Sequence, residues 1–167
     1  MVVEASNQNP NAPLIVYTDG SGINNGTTRA CAGIGVFFGP NDERNLSEPL
    51  PGPTQTNQRA EITAVIRALE TAGDARPVEI RTDSAYVVNA ARTWIRNWKQ
   101  RNWRKSDGKA VLNEDLFRRM DSLLMTRQKP VTFTHVRAHV GIPGNEAADR
   151  LAVSGAMKRY QADKRVL

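Results

Sequence analysis

Two aspartates follow strand-like segments in the same way: the apolar residues 14–17 lead into Thr18-Asp19-Gly20, and the alternating residues 78–81 into Thr82-Asp83-Ser84. Glu61 lies between Ala60 and Ile62 at the start of an apolar-periodic segment, and Asp149 follows Ala147 and Ala148 in another. Singly, each acid is ordinary. Aspartate before glycine is turn chemistry, Glu61 can pair with Arg59 or Arg67, and Asp149 can cap or pair with Arg150. Together they mean something else. Ionised carboxylates a few ångströms apart repel unless a hard cation neutralises them, and an all-oxygen set suits Mg²⁺ or Mn²⁺ rather than zinc. Two such ions can clamp a phosphodiester, one generating hydroxide and the other stabilising the leaving oxygen.

The charge distribution points the same way. Seven basic residues and one acid lie from Arg92 to Lys109, so this stretch carries the whole net charge of +6. All three tryptophans (Trp94, Trp98, Trp103) lie in it too. A solvated amphipathic helix is the bland account of a charge run. One-signed charge interleaved with tryptophan favours a polyanion-binding surface, nucleic acid foremost. Metal-binding acids beside a phosphate-binding polycation make phosphodiester chemistry the economical reading.

The elements that must position these residues are legible from periodicity. With 167 residues, 40% hydrophobic and 24% charged, the chain suits one domain that folds without disulfide or metal. The pattern predicts strands over residues 14–17, 30–38 and 44–50, with turns at Thr18-Asp19-Gly20, Asn24-Asn25-Gly26 and Gly39-Pro40-Asn41-Asp42. A helix follows from Asn57 to a C-terminal Gly73, then a strand over 78–81 and a helix capped by Ser84 and running through Ala91. The basic, Trp-bearing helical piece ends at Ser106-Asp107-Gly108. A helix from Leu112 to Leu124, a strand over 131–136 and a last helix after Pro143-Gly144-Asn145 complete the chain. The order β-β-β-α-β-α-α-α-β-α implies an α/β fold: a mixed five-stranded sheet, antiparallel over its first three strands and then parallel, with helices on both faces. That topology sets Asp19 and Asp83 at neighbouring strand ends, where ligands of α/β sheets collect.

Four blocks carry a resemblance. Tyr17-Thr18-Asp19-Gly20-Ser21, Gln55-Thr56-Asn57-Gln58-Arg59-Ala60-Glu61, Arg81-Thr82-Asp83-Ser84 and the run from His139 through Asn145 to Asp149 resemble the signature blocks of type 1 ribonuclease H, in its cellular, eukaryotic-like form. The Trp94-to-Asn113 stretch resembles that family's basic protrusion. The resemblance implies an endonuclease that hydrolyses the RNA strand of RNA/DNA hybrids with two Mg²⁺ ions, Mn²⁺ substituting, and leaves 3′-hydroxyl and 5′-phosphate ends. It makes Asp19, Glu61, Asp83 and Asp149 metal ligands and His139 a mobile proton shuttle, with His135 structural. Asn25, Asn57 and Gln58 would read ribose 2′-hydroxyls. Tyr86, Trp94 and Trp98 would line a DNA-strand channel, packing between protrusion and body being the plainer role for the tryptophans. Thr56 and Asn113 would hold a DNA phosphate, and Lys99 and Ser106 would add contacts from the protrusion. Relatives often carry arginine where this chain has Thr54, a departure that bears on the phosphate pocket. Two rivals are a hybrid-binding module that does not cleave and another nuclease or transferase on the same sheet, such as a 3′-exonuclease or an integrase.

The expected layout is a tail or linker remnant over 1–13, a catalytic domain over 14–160 with the protrusion at about 94–112, and a C-terminal tail over 161–167. Apolar runs stop at four or five residues, so neither a membrane partner nor a secretory signal is expected. A lone Cys31 fits an intracellular, reducing compartment (nucleus, mitochondrion or cytoplasm), and a monomer is expected.

Overall fold

The computed structural model describes residues 9–166, so residues 1–8 of the expected tail lie outside the described residues. The remainder of that segment is tied down: the Arg76 guanidinium donates to Ala12 O at 2.9 Å. Three strands come first, β1 (Leu14–Ile23), β2 (Cys31–Phe37) and β3 (Leu46–Pro49), then α1 (Asn57–Thr71) and β4 (Val78–Thr82). A continuous helical segment follows, made of α2 (Ala85–Asn89), a π turn (Ala90–Trp94) and α3 (Ile95–Gln100). Helix α4 (Glu114–Thr126), β5 (Val131–His135) and α5 (Pro143–Arg165) close the fold. Sheet order is β3-β2-β1-β4-β5, with β1–β2 and β2–β3 antiparallel and β1–β4 and β4–β5 parallel, as expected.

Local chemistry accounts for the boundaries. Asn24 and Gly26 take positive φ in the β1–β2 turn, and Gly73 (φ +70°) ends α1. The Thr56 hydroxyl accepts from Arg59 N at 3.2 Å to start α1, and Ser84 Oγ accepts from Val87 N at 3.2 Å to start α2. In the π turn, the Ile95 amide reaches back five residues to Ala90 O.

The structure corrects four expectations. Thr18-Asp19-Gly20 is not a turn: β1 runs on to Ile23, because β2 continues past the end of β4 and pairs with those residues, Asp19 opposite Gly35. Strand β3 is shorter than expected because Asn45 is used in the preceding turn, its amide bridging Phe38 N and Gly39 O, both at 2.7 Å. Leu112 lies outside α4 and is 67% exposed; the helix starts after Asn113, which is left-handed at φ +59°. Helix α5 continues to Arg165 through residues expected to be tail.

The two faces of the sheet are covered differently. Alternation along a strand puts Asp19 and Ser21 on the face of their partners Gly35 and Gly33. A Cβ on either glycine would meet backbone atoms of α5 at 2.1 Å, so α5 lies directly on that face, its small residues (Ala148, Ala152, Ala156) fully buried. Gly20 and Gly22 point the other way, toward α1. There the larger core forms from Val16, Ile62, Val65, Ile80, Phe117 and Met120, none measurably exposed.

Candidate active site and nucleic-acid interface

The β1–β4 ladder ends at Thr18 opposite Thr82, so Asp19 and Asp83 are the next residue on each of two adjacent parallel strands. Glu61 joins them because Gly20 has no side chain: a Cβ there would stand 2.6 Å from Glu61 N and 2.8 Å from Ala60 Cβ. That close approach seats the first turn of α1 on β1. One carboxylate oxygen from each of Asp19, Glu61 and Asp83 falls within 4.8 Å of the others. Asp149 comes from α5, one residue after Ala148, whose carbonyl lies over Gly35 on the Asp19 face; its carboxyl is near enough to raise the Asp19 carboxyl, but it is not a member of the 4.8 Å set.

The electrostatics are those of an acid cluster awaiting positive charge. Burial, the neighbouring Asp83 charge and the nearby Asp149 carboxyl push Asp19 up to about 8. Burial, and then the Asp19 and Asp83 charges, hold Glu61 well above the usual carboxylate range. Glu61 Oε2 is buried with no hydrogen-bond partner. A buried orphan oxygen inside an all-carboxylate set fits a hard divalent cation such as Mg²⁺ or Mn²⁺. Asp19, Glu61 and Asp83, with Asp149 beside them, are the residues that would hold it.

Around the acids, two residues brace Asp83. The Asn145 amide donates to Asp83 Oδ2 at 3.2 Å, and His135 Nε2 lies 3.1 Å from Asp83 O. The bracing role of Asn145 is absent from the sequence reading; its one sequence signal was its place in the block ending at Asp149. His139 stands exposed on the turn before α5, left-handed at φ +57°.

Two surfaces flank the site. On one, Asn25 and Asn57 converge over Gly22: a Cβ there would lie 2.2 Å from Asn25 Oδ1 and 2.4 Å from Asn57 Oδ1. On the other, Gln58, Tyr86, Trp94, Trp98 and Ser106 line a groove of about 440 Å³, with Arg101 and Lys105 at its rim. Its aromatic wall is continuous, with ring centroids 5.8 Å apart for Tyr86–Trp94 and 6.0 Å for Trp94–Trp98, and Trp98 is backed by the buried Phe117 at 5.2 Å. The tryptophans therefore both face the groove and pack the protrusion onto the body. Trp103 is the packing member, 8% exposed and covered by the Arg118 guanidinium at 4.7 Å. Lys99 is not brought into this groove; it pairs with Asp121 at 3.1 Å.

Thr56 and Asn113 are joined through Arg59, whose amide donates to Thr56 Oγ1 at 3.2 Å and whose guanidinium donates to Asn113 Oδ1 at 3.3 Å and pairs with Asp115 at 2.7 Å. Asn113 in turn donates to Tyr86 Oη at 3.1 Å. Gln55 is structural: buried, it accepts from Ala32 N at 2.8 Å and donates to Leu50 O at 2.9 Å, fixing the loop that launches α1. Arg59 and Gln55 stand in the Gln55-to-Glu61 block, and these linking roles become visible only once β2, α1 and α4 are in place.

A family model described as RNase H matches residues 11–157. The chain is 45% identical over 143 residues to Ribonuclease H of Schizosaccharomyces pombe, covering 85% of this chain and 52% of that protein, so it spans about half the length of that relative. It is 39% identical over 148 residues to Ribonuclease H of Thiobacillus denitrificans, covering 89% of this chain and 96% of that one. Its fold is similar to that of the foamy viral protease-reverse transcriptase solved in complex with RNA/DNA hybrid, with a TM-score of 0.73 and 26% identity over 86% of this chain and 20% of that one. A family match across nearly the whole chain, on a fold that gathers three of the four signature acids, leaves one assignment: the chain belongs to the ribonuclease H family.

Proposed function

We propose that this chain is an endonuclease that hydrolyses the RNA strand of RNA/DNA hybrids with two Mg²⁺ ions, leaving 3′-hydroxyl and 5′-phosphate ends, and that it acts as a monomer. The observation that carries the reading is the meeting of Asp19, Glu61 and Asp83 within 4.8 Å around a partnerless buried Glu61 oxygen. When bound, a pair of such ions supplies a hydroxide nucleophile and stabilises the leaving 3′-oxygen. The chain does the rest. Asp19, Glu61, Asp83 and Asp149 hold the ions, and Asn145 orients Asp83. Asn25, Asn57 and Gln58, which follows Asn57 on α1 and also lines the aromatic groove, hydrogen-bond 2′-hydroxyls, which DNA lacks. Tyr86, Trp94 and Trp98 offer flat faces to deoxyribose, and Ser106, Thr56 and Asn113 hold the DNA backbone. His139, on its exposed turn, is free to carry a proton at the departing product.

A hybrid uniformly labelled in its RNA strand, incubated with and without Mg²⁺ and resolved on a gel, tests the proposal. Internal RNA fragments that require Mg²⁺, with the DNA strand intact, are expected. Stepwise shortening would make it an exonuclease, and a gel shift without cleavage would make it a binding module.

A further inference from the structure

The basic stretch that looked like one surface is divided by its own helix. Trp94, Trp98, Arg101 and Lys105 face the aromatic groove, whereas Arg92 and Arg96 turn to the opposite side. There, with Arg127 and Lys129, they line a second groove of about 620 Å³ along β5, the edge strand of the sheet. None of the described lining residues is acidic. Two of the four cations are built into the wall: Arg92 donates to Phe133 O, and Arg127 donates to Arg76 O at 2.9 Å and lies 3.9 Å from Asp74. The side chains of Arg96 and Lys129 form no hydrogen bond or ion pair among the described residues, so their charges are available to a partner. Leu124 and Val131 give the groove an apolar floor, and no exposed ring offers a base-stacking platform.

We infer that this groove binds the phosphodiester backbone of an unpaired strand that continues from a bound hybrid. The inference rests on the proposed function for delivery of that strand. The Arg96 guanidinium and the Lys129 ammonium, neither of them ion-paired, match phosphate oxygens, and backbone-only contact makes the site indifferent to base and sugar. Position fits as well. Lys129 precedes His135, which touches Asp83, by six residues, about 20 Å of extended chain or roughly six nucleotides of rise. A strand leaving the acid cluster along β5 passes Arg92, bound to Phe133 O, and then runs along the groove that Arg96 and Lys129 line.

The test uses the whole chain in EDTA and two probes, a blunt RNA/DNA hybrid and the same hybrid with a single-stranded overhang, read by fluorescence anisotropy at several salt concentrations. The native chain should bind the overhang probe more tightly, by about five- to ten-fold for two phosphate contacts. Arg96→Gln/Lys129→Gln should erase that advantage and lower the salt slope on the overhang probe by about 1.4, while blunt-hybrid affinity and Mg²⁺-dependent cleavage stay within about two-fold. Blunt hybrid bound with no overhang advantage overturns the inference and leaves the proposed function standing. Equal loss on both probes also overturns it, by assigning Arg96 and Lys129 to the duplex site. So does an oligo-glutamate peptide that binds in a manner abolished by the double variant while the overhang adds nothing. If the blunt hybrid is neither bound nor cleaved, it is the proposed function that fails.

Discussion

Asn145, 3% exposed in the first turn of α5, donates its side-chain amide to Asp83 Oδ2 at 3.2 Å, tying that helix to the end of β4. The bond fixes the orientation of a carboxylate that belongs to the acid cluster. Removing a buried donor from a charged acceptor costs about 1–3 kcal/mol. Asn145→Ala should therefore lower stability by about that much and raise the Mg²⁺ concentration needed for half-maximal cleavage. Asn145→Asp, which adds a charge to the cluster, should be worse without metal and partly recovered by it. An unchanged Mg²⁺ requirement in Asn145→Ala would remove Asn145 from the site.

The raised Asp19 carboxyl sets a pH dependence. In the unfolded chain it titrates near the ordinary value of about 3.9, and in the metal-free fold at about 8. Between those values the unfolded state gives up a proton that the native state keeps. The stabilisation is thus complete below about pH 4 and lost as pH rises toward 8. Glu61 acts in the same direction. Asp19→Asn does not titrate, so in EDTA its Tm relative to the parent should climb from about pH 5 to about pH 8. Mg²⁺ must displace protons in that window, so its affinity for the parent should rise with pH. Melting curves with a pH-independent offset would contradict both statements.

Two glycines of the central strands should respond in opposite ways to alanine. At Gly22 the atoms nearest the added methyl belong to the side-chain amides of Asn25 and Asn57, which can swing away. Gly22→Ala should keep the fold but weaken hybrid binding and blunt the preference for ribose. At Gly35 the methyl meets Ala148 O at 2.1 Å and Ala152 N at 2.6 Å, which are backbone atoms of α5. Gly35→Ala should lift the helix off the sheet and cost stability on the order of 1–3 kcal/mol or more. Thermal melts of the two variants check the contrast, and equal losses would defeat it.

The sequence carried the local structure well where a residue has a single physical use. Ser84 as a cap, Gly73 past a helix end and Asn24-Asn25-Gly26 as a turn are found where they were expected. It misled where one motif serves two geometries. Thr18-Asp19-Gly20 has turn composition, yet β2 holds it in extended pairing, and Gly20 is glycine for the approach of α1 rather than for a bend. All four acids were legible as candidates because residue type and order survive without coordinates. The division of the basic stretch was not legible. It depends on which way a helix containing a π turn faces, and on Asp121, twenty-two residues away, drawing Lys99 aside.

The account stands or falls on the acid cluster, and single-turnover cleavage by isosteric variants measures it most directly. Asp19→Asn, Glu61→Gln and Asp83→Asn each remove charge and leave volume unchanged. With circular dichroism and hybrid affinity near those of the parent, each should cleave a labelled hybrid slower by on the order of 10³-fold at saturating Mg²⁺. Cleavage within ten-fold of the parent by any of the three, with the fold intact, would mean that the meeting of these carboxylates is not where the chemistry happens.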